Sequence, residues 1–171
     1  MDTINQDGIN RESISVAAGQ PFYFEDFSVG LAKRSIRYTV ERESAIAFAR
    51  QWDPQPFHID EQAAKKSLFG GLTCCSAQIF AIFSAISQQW DSGEIQQAIA
   101  ALGFDKMRLI KPVYVGDTLF NVSTVEQARL SNSHPGTGIV RSRCQMYNQG
   151  NEEVFRIEAA FLIQCRTPAA S

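Results

Sequence analysis

The chain of 171 residues has no excess of charge of one sign, no long apolar run and no paired C-x-x-C cysteines. Its 16 basic and 18 acidic residues are mixed along the sequence and give a formal net charge of −2. Proteins that bind nucleic acid or anionic membranes usually concentrate positive charge, so this balance argues against both partners. A small ligand bound at one local site fits the composition better.

The lack of long apolar runs also predicts no membrane span. The longest apolar tract, residues 77–86, has about half of the roughly twenty residues that a spanning helix needs. The first twenty residues are polar, unlike the apolar middle of a secretory signal. We therefore expect a flexible arm over residues 1–20, one domain over 21–166 and a short tail over 167–171, in a cytoplasmic protein.

The four cysteines do not have the spacing of a zinc or redox site, so no metal or cofactor is expected. We interpret Cys74, Cys75, Cys144 and Cys165 as buried thiols, which suits a reducing compartment. Cys74 and Cys75 precede a predicted helix, where a thiol pKa can be lowered, and a nucleophilic role is the alternative. No histidine follows them at close range to activate such a nucleophile.

The first half of the sequence predicts a strand over residues 33–38 followed by two helices. Residues 41–51 have apolar side chains at three-to-four spacing, and Pro54 ends that helix. An irregular stretch, 53–71, holds one helical turn at 61–66. Residues 73–89 lack Gly and Pro and carry apolar side chains around most of the circumference, which predicts a long helix buried on most sides.

The second half predicts four antiparallel strands, over residues 101–109, 118–130, 139–147 and 154–165. The last two strands alternate apolar and polar residues, and the turn 148–151 joins them as a hairpin. A very apolar helix followed by such strands must be wrapped by the sheet, because no other element can cover it. This predicts an α+β hot-dog fold, a long central helix wrapped by an antiparallel sheet, and a homodimer or higher homo-oligomer.

One segment gathers the side chains for acid–base chemistry, with Asp53, His58 and Asp60 within eight residues. Adding water to a double bond conjugated with a thioester needs one group to take a proton from water and another to protonate the α-carbon. A carboxylate beside an imidazole can do both, and two prolines stiffen the bend that would bring them together. A surface histidine near a capping acid explains the same spacing.

The motifs Asp53-Pro-Gln-Pro-Phe-His-Ile-Asp60, Ser67-Leu-Phe-Gly-Gly71 and Ile110-Lys-Pro-Val-Tyr-Val-Gly-Asp-Thr118 resemble the signature of the MaoC-like dehydratases and (R)-specific enoyl-CoA hydratases. The resemblance covers roughly residues 23–163. It implies a hydro-lyase acting on an enoyl or 3-hydroxyacyl thioester of coenzyme A or of a carrier protein, with Asp53 and His58 as the acid–base pair.

The resemblance also implies that the N-terminus of the long helix points at the thioester oxygen, where unpaired N–H groups would stabilise an oxyanion. We take Ser76, Gly71, Gln55 and Asp60 as candidate oxyanion or substrate contacts. The usual family Asn is Gln55 here, and the usual Gly at the helix start corresponds to Ser76. Asp60 could instead cap the following turn.

Remaining polar residues and two rival functions stay open. His134 lies in a Pro- and Gly-containing segment typical of a surface turn, and Gln78 could contact substrate or fill the helix. A hot-dog thioesterase is one rival, but its carboxylate is often on the central helix, and residues 73–90 contain no Asp or Glu. The other rival is a subunit that binds acyl thioesters without catalysis.

Overall fold

The computed structural model describes residues 19–167. Most of the predicted arm and tail lies outside this range, and Gln20 already belongs to a strand. The helices are α1 (Arg42–Trp52), α2 (Pro56–Ile59), α3 (Glu61–Lys66) and α4 (Ser76–Ile86). The strands are β1 (Gln20–Phe22), β2 (Ala32–Arg34), β3 (Tyr38–Thr39), β4 (Glu94–Gln96), β5 (Ala98–Leu109), β6 (Thr118–Leu130), β7 (Thr137–Tyr147) and β8 (Glu153–Gln164).

The main sheet is antiparallel, with strand order β2-β6-β7-β8-β5, and β3 extends it by pairing with β6. The predicted hairpin is confirmed, because β7 and β8 pair along their whole length. Phe155, Ile157 and Ile163 of β8 are fully buried as predicted, but Val154 and Leu162 on the opposite face are buried too, so the strand is covered on both faces rather than one. A separate parallel pair joins β1 to β4.

Helix α4 lies against the inner face of this sheet and confirms the predicted α+β arrangement. Phe83 and Ile86 are fully buried, and the Phe83 ring lies 5.6 Å from that of Phe155. The predicted length and burial of the helix were wrong. It has 11 residues, because Thr73 and Cys74 instead form a short antiparallel contact with residues 113–114. One side of α4 is also exposed.

Other departures occur where elements are short. The predicted strand over residues 33–38 is divided into β2 and β3, α2 was not anticipated, and β5 begins three residues earlier than predicted. Helix α1 and the turn α3 are confirmed. All four cysteines are buried free thiols, as predicted. None of the described helices is long and apolar enough to cross a membrane.

Candidate active site

Two short helices and two prolines place Asp53 and His58 side by side. Helix α1 ends at Trp52, and Asp53 follows with non-helical backbone angles (φ −156°, ψ 73°), consistent with the proline after it. Pro56 then opens α2 at a position where its missing N–H has no consequence. The chain bends enough to bring His58 Nε2 within 3.8 Å of Asp53 Oδ2.

The backbone carbonyl of Thr73 fixes the tautomer of His58. His58 Nδ1 lies 2.7 Å from Thr73 O and 3.2 Å from Thr73 Oγ1, and the ring is buried. A carbonyl oxygen can only accept, so Nδ1 carries the hydrogen. In the neutral ring, Nε2 therefore presents a lone pair toward Asp53, and protons can be exchanged only at that atom.

A cavity of about 330 Å³ opens onto this pair. Ser76 and Ile79 of α4, Phe69 and Thr73 line it together with the pair, and residues 109–113 complete the lining. The separation of 3.8 Å is too long for a direct hydrogen bond. It leaves the facing oxygen and nitrogen free to hold one water between them, which is the geometry needed to activate a nucleophilic water.

The structure brings one of the four candidate substrate contacts to this cavity. Ser76 lies at the first position of α4, where backbone N–H groups lack helical partners. Asp60 instead caps α3, accepting a hydrogen bond of 2.7 Å from Ala63 N. Gln55 is exposed before α2, and Gly71 packs under the Tyr114 ring; neither lines the cavity.

The other polar candidates do not join the acid–base pair. Burial raises the pKa of the Cys74 thiol to about 12, which keeps it neutral and disfavours a nucleophilic role. Burial also raises the pKa of Cys75. His134 is exposed on a turn, where its Nδ1 contacts Ser133. In the part of the chain that is described, no three His, Cys, Asp or Glu side chains are arranged to hold a metal ion.

Sequence reasoning missed the side chains that support the pair. Thr73 binds His58, and Phe57 lies beside the imidazole with ring centroids 4.4 Å apart. Phe69 lines the cavity and packs on Phe57 at 5.3 Å. Thr73 binds His58 through its backbone carbonyl, and a backbone contact cannot be predicted from the residue type. Phe69 could have been suspected, because it lies in the second matching motif.

These features define a hot-dog protein with a carboxylate and an imidazole side by side in a cavity that Ser76, the first residue of α4, also lines. Residues 30–142 match the family model described as "MaoC like domain". The chain is 30% identical over 141 residues to the uncharacterized protein YdeM of Bacillus subtilis, covering 82% of this chain and 97% of that protein. The chain therefore belongs to the MaoC-like family, which includes dehydratases and (R)-hydratases.

Solved structures agree with this assignment. A MaoC-like dehydratase from Rhodospirillum rubrum superposes with a TM-score of 0.73 at 33% identity, covering 85% of this chain and 99% of that one. The (R)-hydratase from A. caviae involved in PHA biosynthesis gives a TM-score of 0.64 at 23% identity, covering 80% and 97%. At that lower identity the likeness concerns the fold alone.

Proposed function

We propose that the protein is a hydro-lyase that adds water to an enoyl thioester, or removes it from the 3-hydroxyacyl product, with coenzyme A as the thiol. The observation that carries the proposal is the pair of facing atoms, Asp53 Oδ2 and His58 Nε2, at 3.8 Å beside a cavity. Nδ1 of His58 is already committed to Thr73, so both reactive atoms are available to one water.

In this mechanism, the water donates one hydrogen bond to Asp53 and one to Nε2 of His58. As the water oxygen bonds to the β-carbon, its proton passes to one member of the pair. The pair then delivers that proton to the α-carbon from the same side, so both groups return to their starting protonation states. Unpaired N–H groups at Ser76 and the next residues of α4 would stabilise the enolate oxygen. Dehydration follows the same steps in reverse.

The experiment is a spectroscopic assay of several enoyl-CoA thioesters, in which loss of the conjugated chromophore and release of free thiol are followed together. We expect chromophore loss without thiol release in the wild type, and failure of Asp53→Asn and His58→Ala. Thiol release would identify a thioesterase. No turnover with retained binding would identify a binding subunit. Turnover confined to carrier-protein thioesters would replace coenzyme A in the proposal.

We further propose that the working unit is a homodimer formed along β5. This strand ends the sheet, and its outer edge pairs with no strand among residues 19–167. It exposes five large apolar side chains at 39–55%: Ile99, Leu102, Phe104, Met107 and Leu109. An uncovered edge of this kind pairs readily with a second copy of itself. Leu109 also lines the cavity, so the partner would lie beside the site.

Light scattering of the purified chain tests the homodimer, with Leu102→Lys as the disrupting variant. Leu130→Lys, at an exposed position near the far end of β6, is the matched control. A monomeric wild type would refute the homodimer and leave the hydro-lyase proposal standing. We also propose a cytoplasmic location, because all four cysteines are free, buried thiols.

A further inference from the structure

The connection between α3 and Leu72 contributes Phe69 to the lining of the cavity and exposes Leu68 and Gly70 to solvent. At the start of this loop, the Ser67 hydroxyl makes two local hydrogen bonds. It donates to Ala64 O at 2.7 Å and accepts from Phe69 N at 3.1 Å. Leu68 is 98% exposed. Gly70 has a φ of +69°, an angle that favours glycine, and an added Cβ there would meet nothing within 4 Å. The outer part of this loop is therefore free to move unless another element holds it.

Tyr114 supplies that contact. Its hydroxyl donates to the backbone oxygen of Phe69 at 2.9 Å. Within the described residues 19–167, the other hydrogen bonds of residues 68–71 are made to Ser67 of the same loop. The bond from Tyr114 is therefore the one that ties this loop to another part of the protein. The Tyr114 ring also covers Gly71, whose added Cβ would lie 3.6 Å from it.

Tyr114 is itself anchored at its backbone. Its N–H donates to Asp117 Oδ2 at 2.8 Å, and the residue pairs with Thr73, whose carbonyl holds His58. The phenol thus connects the strand contact that also holds His58 to the exposed half of the loop. The residue that accepts the hydrogen bond, Phe69, lines the cavity with its side chain. Its ring centroid lies 5.3 Å from that of Phe57.

We propose that Tyr114 is a positioning residue that fixes Phe69 as a wall of the cavity and so limits the size of the group bound beside His58. This inference rests on the proposed function, because it assigns the cavity to the acyl thioester. Loss of the phenol hydroxyl frees the loop at Gly70 and Gly71, and Phe69 moves away from the cavity. Small acyl groups then lose contact area, and larger ones gain room.

The test compares Tyr114→Phe, which removes only the hydroxyl, with the control Tyr147→Phe, whose ring stacks on Phe120 at 5.7 Å on the other face of the sheet. Hydrogen–deuterium exchange of peptides covering residues 68–72 should be faster in Tyr114→Phe and unchanged in the control. The ratio of kcat/KM for short over long enoyl-CoAs should fall about three- to tenfold, as expected for loss of one hydrogen bond. This fall should come from KM rather than kcat.

Phe69→Ala provides the second variant, because it removes the wall itself. It should lower the same ratio as Tyr114→Phe does, and an unchanged ratio in either variant overturns the proposal even if the loop exchanges faster. Dissociation constants of saturated acyl-CoAs, measured by calorimetry, give the same ratio without turnover. If the wild type shows no turnover but still binds short and long acyl-CoAs with a ratio that Tyr114→Phe lowers, the hydro-lyase proposal is refuted. The role of Tyr114 is then still supported.

Discussion

A cluster of polar side chains at the cavity contrasts with another inside the core of the described part of the molecule. The cavity cluster consists of Asp53, His58 and Thr73, and the core cluster consists of Asn121, Ser123 and Cys144. Each holds a titratable group that is more than nine-tenths buried, His58 in the first and Cys144 in the second. Burial of a titratable group therefore does not by itself distinguish a reactive site from a structural one.

The difference lies in which atoms remain available. In the core cluster, Asn121 Nδ2 donates to Ser123 Oγ at 2.8 Å, and Ser123 Oγ lies 3.4 Å from Cys144 Sγ. None of these side chains lines the cavity. In the cavity cluster, one nitrogen of His58 is bound and the other faces a partly exposed carboxylate. An available atom beside open space is what permits chemistry.

The largest effect that this comparison predicts is on activity when the cavity cluster is broken. His58→Ala should lower kcat/KM for an enoyl thioester about a hundred- to ten-thousandfold, the usual contribution of a general acid–base group. His134→Ala is the matched control, because that histidine is exposed on a turn. Steady-state kinetics of the two variants measures the contrast, and equal losses would remove His58 from the mechanism.

The sequence predicted the cavity cluster only in part. Asp53 and His58 share one short segment, and the prolines between them favour the bend that the structure contains. The contact between His58 and Thr73 joins residues fifteen positions apart and uses a backbone oxygen, so it could not be predicted from the side chains. Asp60 matched the motif equally well, yet local geometry assigns it to the cap of α3.

Elements with a long periodic pattern were predicted correctly, whereas the prediction failed for short elements. The alternation in β7 and β8, over eleven and twelve residues, predicted their pairing and the buried face of β7, whereas β8 also buries Val154 and Leu162 on its other face. The start of α4 could not be located from periodicity, because Thr73 and Cys74 are drawn into a contact with residues 113–114. Tertiary contacts of this kind override local preference in segments of two or three residues.

Breaking the core cluster should affect stability and leave the chemistry intact. Ser123→Ala leaves the buried Asn121 amide without its hydrogen-bond acceptor, which costs about 1 to 3 kcal/mol of unfolding free energy. Urea denaturation measures the loss, while kcat should be unchanged, because Ser123 does not line the cavity. A large fall in kcat with unchanged stability would contradict the division between the clusters.

A smaller effect is expected when the support of His58 is weakened without removing it. Thr73→Val deletes the hydroxyl 3.2 Å from Nδ1 and keeps the carbonyl at 2.7 Å. We expect a decrease in kcat of about three- to tenfold, the value of one modest hydrogen bond. Nitrogen NMR should still show the hydrogen on Nδ1, because the carbonyl alone fixes it. A ring protonated on Nε2 in the wild type would overturn this account.

The smallest effect concerns the thiol of the core cluster at alkaline pH. Burial raises the pKa of Cys144 to about 11 from an ordinary value of 9.0. Above pH 9.0 the unfolded chain loses this proton while the folded chain keeps it, so unfolding is increasingly favoured as the pH rises toward 11. Between pH 8 and pH 10, this thiol should remove about 1 kcal/mol of stability. Urea denaturation at both pH values measures this loss. The Cys144→Ser variant cannot ionise at this position, so its free energy of unfolding should fall correspondingly less between pH 8 and pH 10. An identical fall in both proteins would show that burial does not raise the pKa of this thiol.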